Sequence, residues 1–263
     1  MTMKKIGLYL TTLVLAPWVS PVHADPTFPS SLLDWTVITV GGSNYVDVET
    51  DNVDAQAYAA PMPNYYDLVG SIGSISNATA YTARDAANLM FRVRVDDQPV
   101  AGMSVYAVLL NTDGDDFVDY ILQIDDANDL RVEIVQTSTD YGPSSSPTWG
   151  GVSQLQNVAS NQVTVGAIGT WSQYVLANTA LGGDGDYFVD IAISWSDFAA
   201  MTSLTGSDQF SVAFATSSQH INLNKDKPDG GWSDLLTVPE PSTWVCVLLP
   251  FAGLALRRRC RRA

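Results

Sequence analysis

Two short runs hold the residue types best able to do chemistry. Asp113-Gly114-Asp115-Asp116-Phe117-Val118-Asp119 and Asp184-Gly185-Asp186-Tyr187-Phe188-Val189-Asp190 agree at Asp, Gly, Asp, Phe, Val and Asp, with one mismatch. In the first run Asn111, Asp113, Asp115 and Asp119 fall at positions one, three, five and nine of an oxygen-bearing loop. A hard cation needs six or more oxygens, and a short turn can converge alternate side chains upon it, so this spacing points to calcium. The second run offers Asp184, Asp186 and Asp190, but has Gly182 at its first position and one ligand fewer. The competing reading is purely structural. Asp-Gly favours a hairpin turn, and Asp119 and Asp190 lie opposite the Val118 and Val189 rows, where solvated strand residues would lie.

Other chemistry finds little material. His220 is the sole histidine between residues 25 and 237, and both cysteines, Cys246 and Cys260, lie beyond that stretch. Acyl transfer would therefore rest on one loop histidine with Lys225 and Asp226 nearby, and a His-rich zinc centre is excluded. A glycosidase needs only two carboxylates. With 27 acids between residues 25 and 237, some aspartate pair at any given separation is assured, so pairing alone does not argue for hydrolysis. Glu49 and Glu133 are the glutamates of that stretch, and neither has an acid/base setting. Gly41-Gly42, Gly150-Gly151 and Gly182-Gly183 lack the lysine or helix that a phosphate loop requires. Tyr65, Tyr66, Tyr141, Trp149, Trp171 and Trp232 fall in or beside loops, where flat apolar faces can stack on sugar rings. Trp149 and Trp232 are the candidates for that role, against the alternative that such residues cap the ends of a core.

The elements that must position these residues read as strands. Leu89, Phe91, Val93 and Val95 alternate with Met90, Arg92 and Arg94, and Leu130, Val132 and Ile134 alternate with Arg131 and Glu133. Val118, Tyr120, Leu122 and Ile124 share a face, as do Tyr187, Val189, Ile191 and Ile193, and Phe210, Val212 and Phe214. The run from Met103 to Leu110 is apolar on both sides, as a central strand would be. Gly, Asp, Asn, Ser and Pro clusters separate these runs at hairpin intervals. The expectation is an all-β, antiparallel, jelly-roll-like β-sandwich. One helical piece is expected at Ser196 to Leu204, capped by Ser194 or Ser196. Two long loops, Gln136 to Val152 and Ser217 to Trp232, break the rhythm.

Two likenesses accompany this pattern. Asp186 to Phe198 is similar to a strand-and-turn signature of DOMON-like domains and family-nine carbohydrate-binding modules, which implies the same sandwich fold. The first aspartate run resembles the Asp-rich loops of thrombospondin type 3 repeats, departing at Asp116, where those loops carry glycine.

The two ends of the chain read as targeting segments. Lys4 and Lys5, the apolar run Ile6 to Pro17 and Val22-His23-Ala24 form a signal helix with cleavage after Ala24. Val238-Pro239-Glu240-Pro241-Ser242 leads into the apolar run from Trp244 to Leu256 and then Arg257, Arg258, Arg259, Arg261 and Arg262. Thirteen apolar residues fall short of the roughly 20 of an ordinary spanning helix, and the arginines resist crossing the bilayer. This order resembles the PEP-CTERM sorting signal of Gram-negative bacteria that secrete exopolysaccharide. The resemblance implies an exosortase-type transpeptidase as partner, recognition at Val238, Pro239, Glu240 and Pro241, transit through the inner membrane, a transmembrane sorting helix, and removal of the tail. A permanent C-terminal anchor is the alternative. The expected organisation is a signal peptide at 1–24, a β-sandwich at 25–237 and a sorting signal at 238–263.

Charge agrees with export. The whole chain carries 13 basic and 28 acidic residues, a net −15; residues 25–237 keep six basic and 27 acidic, a net −21. Such a body repels phosphate backbones and anionic lipid, which argues against nucleic-acid binding, and collects cations instead. The sequence thus predicts a non-enzymatic protein of the cell surface or exopolysaccharide matrix, structural or adhesive. A carbohydrate-binding module with a calcium-shaped loop is the first alternative, and an extracellular glycan hydrolase using paired aspartates the second.

Overall fold

The computed structural model describes residues 24–47, 63–115, 117–126, 130–137, 158–181, 185–218, 226 and 231–238, with side chains omitted at 158–160. The signal segment before Ala24, the tail from Pro239, and Trp149, Asp184 and His220 lie outside the described residues.

Period-two alternation produces strands throughout. In chain order they are β1 (Thr36–Val37), β2 (Thr39–Val40), β3 (Ser43–Asn44), β4 (Ala80–Arg84), β5 (Asn88–Val95), β6 (Val105–Asn111) and β7 (Tyr120–Asp125). They continue with β8 (Arg131–Thr137), β9 (Val158–Ala167), β10 (Ser172–Leu176), β11 (Tyr187–Ser194), β12 (Gln209–Ser217) and β13 (Leu236–Thr237). One sheet runs β1-β4-β5-β11-β10 and the other β13-β12-β6-β7-β8-β9, while β2 and β3 form a separate hairpin. Every strand pairing is antiparallel.

The two sheets pack face to face. Phe91 of β5 meets Phe214 of β12 edge-on at 6.4 Å, and Tyr106 of β6 meets Tyr174 of β10 at 6.2 Å. Phe91, Val93, Val189, Ile191, Tyr106, Val108 and Phe214 leave a void of about 10 Å³ between them, at the lower limit for one water. The strand expected from Met103 to Leu110 is β6, central in its sheet and buried along its whole length. Met103 itself is exposed.

The helix expected after β11 is α1 (Trp195–Thr202). Of its two candidate caps the fold uses Ser194, whose Oγ accepts the N–H of Asp197 at 3.0 Å. Ser203, at φ +62°, ends it in a left-handed cap. Among the described residues no helix is long and apolar enough to cross a membrane.

The outer face of the five-stranded sheet departs from the simple two-layer expectation. The alternate residues of β5, Met90, Arg92 and Arg94, are as buried as the core row. The segment before β1 lays Trp35 over Arg92. Trp35 is buried with its ring 4.2 Å from the Arg92 guanidinium carbon, and Phe28 and Leu32 pack against the same cluster. A further short cluster, Ala107, Leu109, Val118, Ile121, Ala213 and Ala215, lies on the outer face of the six-stranded sheet, with Trp232 half-buried against it. Val118 therefore belongs to that cluster and not to the Tyr120, Leu122 and Ile124 row, because β7 begins only at Tyr120.

Candidate functional site: an aspartate loop and its buried counterpart

The first aspartate run joins β6 to β7, whose register pairs Leu110 with Tyr120. Its amides are organised by its own side chains. Asn111 Oδ1 accepts the Gly114 N–H at 2.7 Å, Asp113 Oδ1 accepts that of Asp115 at 3.1 Å, and Asp115 Oδ1 accepts that of Phe117 at 2.9 Å. Gly114 sits at φ +80°, where a side chain would strain the turn. Asp119 Oδ2 accepts both the N–H and the hydroxyl of Thr112 at 2.6 Å.

These turns draw Asp113, Asp115 and Asp119 together, with one oxygen from each lying within 4.8 Å of the others. Two oxygens bound to one calcium at 2.3–2.6 Å can be at most about 5 Å apart, so the cluster has the dimensions of a coordination shell. Asp113 and Asp115 are exposed and Asp119 is half-buried. Crowding has an electrostatic sign. Partial desolvation first, then the carboxylates of Asp119 and Asp115, push the Asp113 carboxyl above its ordinary value, against the lowering effect of the Asp115 amide. A divalent cation would reverse that repulsion. Asn111 is buried, and its bond to Gly114 makes it the brace of the loop.

The second run joins β10 to β11, and the structure gives it a different task. Asp186 and Asp190 are both fully buried. Asp190 Oδ1 lies 2.6 Å from Arg92 Nε, while its Oδ2 accepts from Arg92 Nη2 and from Gln173 Nε2, each at 2.7 Å. Asp186 Oδ2 lies 2.7 Å from Arg94 Nη1, and its Oδ1 accepts the Leu181 N–H at 2.9 Å. The cause is sheet order: β11 pairs with β5, and the register sets Asp190 directly opposite Arg92. Asp190 is thus not the solvated strand residue that alternation suggests, and the two copies share a sequence without sharing an environment.

The remaining sequence candidates divide between core and surface. Tyr66 and Trp171 are buried, and Tyr65 stacks obliquely on Tyr66 with centroids 4.4 Å apart. Trp171 lies so close to Gly166 that a Cβ there would stand 2.1 Å from the indole. Trp232 retains a half-exposed surface. Glu133 is fully buried on the outer face of the six-stranded sheet, where its oxygens accept from Arg131 Nε and Gln123 Nε2 at 2.7 Å and from Gln162 Nε2. Gly41-Gly42 is the two-residue turn between β2 and β3, and both its amides donate to Asp234, at 2.8 and 2.9 Å. Thr39 Oγ1 donates to the same carboxylate at 2.6 Å, and these bonds hold Asp234 below its usual value.

Sequence reasoning missed Arg92, Arg94 and Asp234 as organising residues. A signal for the first two was present: in a stretch with six cations against 27 acids, two arginines at alternate positions of one strand mark where acids must converge.

No protein-family model matches the chain, and no curated protein or solved structure matches it either.

Proposed function

We propose that this chain is an exported, non-enzymatic β-sandwich, sorted through Pro239-Glu240-Pro241 to the cell surface or polysaccharide matrix. There its role is structural or adhesive. Calcium held by Asp113, Asp115 and Asp119 ties down the loop between β6 and β7. The partner in delivery is an exosortase-type transpeptidase met at the inner membrane.

The observation that carries this reading is the order of Pro-Glu-Pro, apolar run and arginine cluster after residue 238. The way the fold closes supports it. Val238 is buried in the core, its N–H donates to the Asp208 carbonyl at 2.9 Å, and its carbonyl accepts from Ser207 at 3.1 Å. Among the described residues the last strand, β13, ends at Thr237, immediately before this buried valine. The fixed pairing of Asp186, Asp190 and Glu133 also supports a structural role, because each carboxylate is spent on holding strands together.

A sugar-binding module is the second reading, favoured by Trp232, which lies half-buried over Ala107, Leu109, Ile121, Ala213 and Ala215. Replacing Pro239, Glu240 and Pro241 together with alanine separates sorting from folding. The triple variant is expected to fold and to stay in the membrane fraction with its tail attached. Surface delivery at the wild-type level would overturn the sorting reading.

A further inference from the structure

The two large sheets have four edges, and three of them are blunted. β1 and β13 are two residues long. The register of β9 against β8 slips twice, between Val132 and Glu133 and between Val135 and Thr137, and such bulges guard an edge against further pairing. β10 is different. It pairs with β11 without a break from Ser172 to Leu176, contains no proline and no charged residue, and has no strand on its far side among the described residues.

The ladder fixes where its backbone groups point. Ala192 N–H donates to the Trp171 carbonyl and Ala177 N–H to that of Asp186, both at 2.9 Å. Trp171, Gln173, Val175 and Ala177 therefore exchange bonds with β11, and the alternate residues turn their groups outward. The Ser172 carbonyl is taken by the Gly169 N–H at 3.1 Å. Tyr174 and Leu176 each present an N–H and a C=O at the edge. Side chains hold the strand from both faces: Gln173 Nε2 donates to Asp190 at 2.7 Å, and the Tyr174 ring packs on Tyr106 with its hydroxyl 3.3 Å from Asp126. Leu176 is 61% exposed.

Charge selects what can approach. No Asp, Glu, Lys or Arg occurs from Tyr141 to Gly183, although residues 25–237 hold six basic and 27 acidic residues. A cationic partner would be drawn by acids and a neutral one is indifferent to them, so a charge-free edge serves a partner that is itself acidic. A second copy meets that condition, and antiparallel pairing about a two-fold axis makes the edge complementary to itself. We propose that two copies of this chain join through β10, Tyr174 of each copy pairing with Leu176 of the other about an axis at Val175, so that the outward groups form N–H···O bonds and the two five-stranded sheets become one.

This contact stands apart from the sorting reading. The test uses the purified full chain in detergent, with Cys246 and Cys260 replaced by serine so that an introduced cysteine is the sole thiol. At the axis the two Val175 residues form a non-hydrogen-bonded pair, about 4.5 Å apart at Cα, within disulfide reach. Mild oxidation is expected to give a covalent dimer for Val175→Cys and none for Leu235→Cys, an exposed site beside β13. In the chain with Val175 in place, amide hydrogen exchange at Tyr174 and Leu176 should slow severalfold as concentration rises from about 10 μM to 1 mM. Val175→Asp, which sets two carboxylates face to face, should remove that concentration dependence while the β5 amides stay protected. The inference is overturned if Val175→Cys gives no more dimer than Leu235→Cys, if exchange at Tyr174 and Leu176 ignores concentration, or if its concentration dependence survives Val175→Asp.

Discussion

Asp119 and Asp190 stand at the same position of a repeated motif, and alanine at each should give very different proteins. Asp190→Ala removes the acceptor of three hydrogen bonds, two from Arg92 and one from Gln173. Arg92 cannot shed its charge; buried, it would be left facing the Trp35 and Phe188 rings at 4.2 and 4.6 Å. Breaking a buried pair from one side costs about 3–5 kcal/mol, a large share of a typical total of roughly 5–15. At about 2–4 °C per kcal/mol for a domain of this size, Tm should fall by about 6–20 °C. Asp119→Ala loses two bonds from Thr112 at a half-buried position, about 1–2 kcal/mol, and also relieves the repulsion on Asp113. Its Tm should fall by less than about 8 °C. Thermal melting by circular dichroism in calcium-free buffer compares them directly. An Asp190→Ala variant within about 2 °C of wild type, or equal losses in the two variants, would refute the division of the repeat into a structural and a metal-binding copy.

Three further outcomes rest on the same geometry. Calcium should raise the Tm of the wild type, by the equivalent of about 2.7 kcal/mol at a hundred times its Kd, and leave Asp113→Asn unmoved; equal shifts in both would remove the site. Because the folded-state pKa of Asp113 is raised, the stability present while it is protonated is lost as pH rises through that pKa. Asp113→Asn should therefore melt above wild type in calcium-free buffer at pH 7, and the two should converge below about pH 3.5, as a pH series of melts would reveal. Asp234 has the opposite sign: its lowered pKa contributes stability above about pH 4 that is lost as pH falls through the folded value. Asp234→Asn should melt below wild type at pH 7 with the gap closing in acid, and a gap that widens in acid would contradict the clamp on the Gly41-Gly42 turn.

The inward rows were legible because period two is a direct consequence of strand geometry. Phe91 and Val93, Val189 and Ile191, Phe210 and Phe214 all face the core as their alternation requires. What covers the other side of a sheet is not written in the strand itself. Arg92 looks like a solvent-facing residue until Trp35, more than fifty positions upstream, is laid over it, and Asp190 does so until β11 sets it opposite Arg92. The same long-range dependence hides Asp234, whose partners Thr39, Gly41 and Gly42 lie over 190 residues away. Locally specified features fared better: the α1 cap was narrowed to two serines, and the Asp197 amide at the proper offset chose Ser194. The Asp113, Asp115 and Asp119 cluster lies between these cases. Its spacing was readable within one loop, yet the near-identical second run diverges only because β11 has β5 beside it.

Export and sorting are tested together by the intact mass of the protein released from the cell surface. The expected species starts at Asp25, has lost Arg257 to Arg262, and still contains every residue through the buried Val238. A surface species that retains those arginines would establish a permanent anchor, and a full-length chain confined to the cytosol would contradict export altogether.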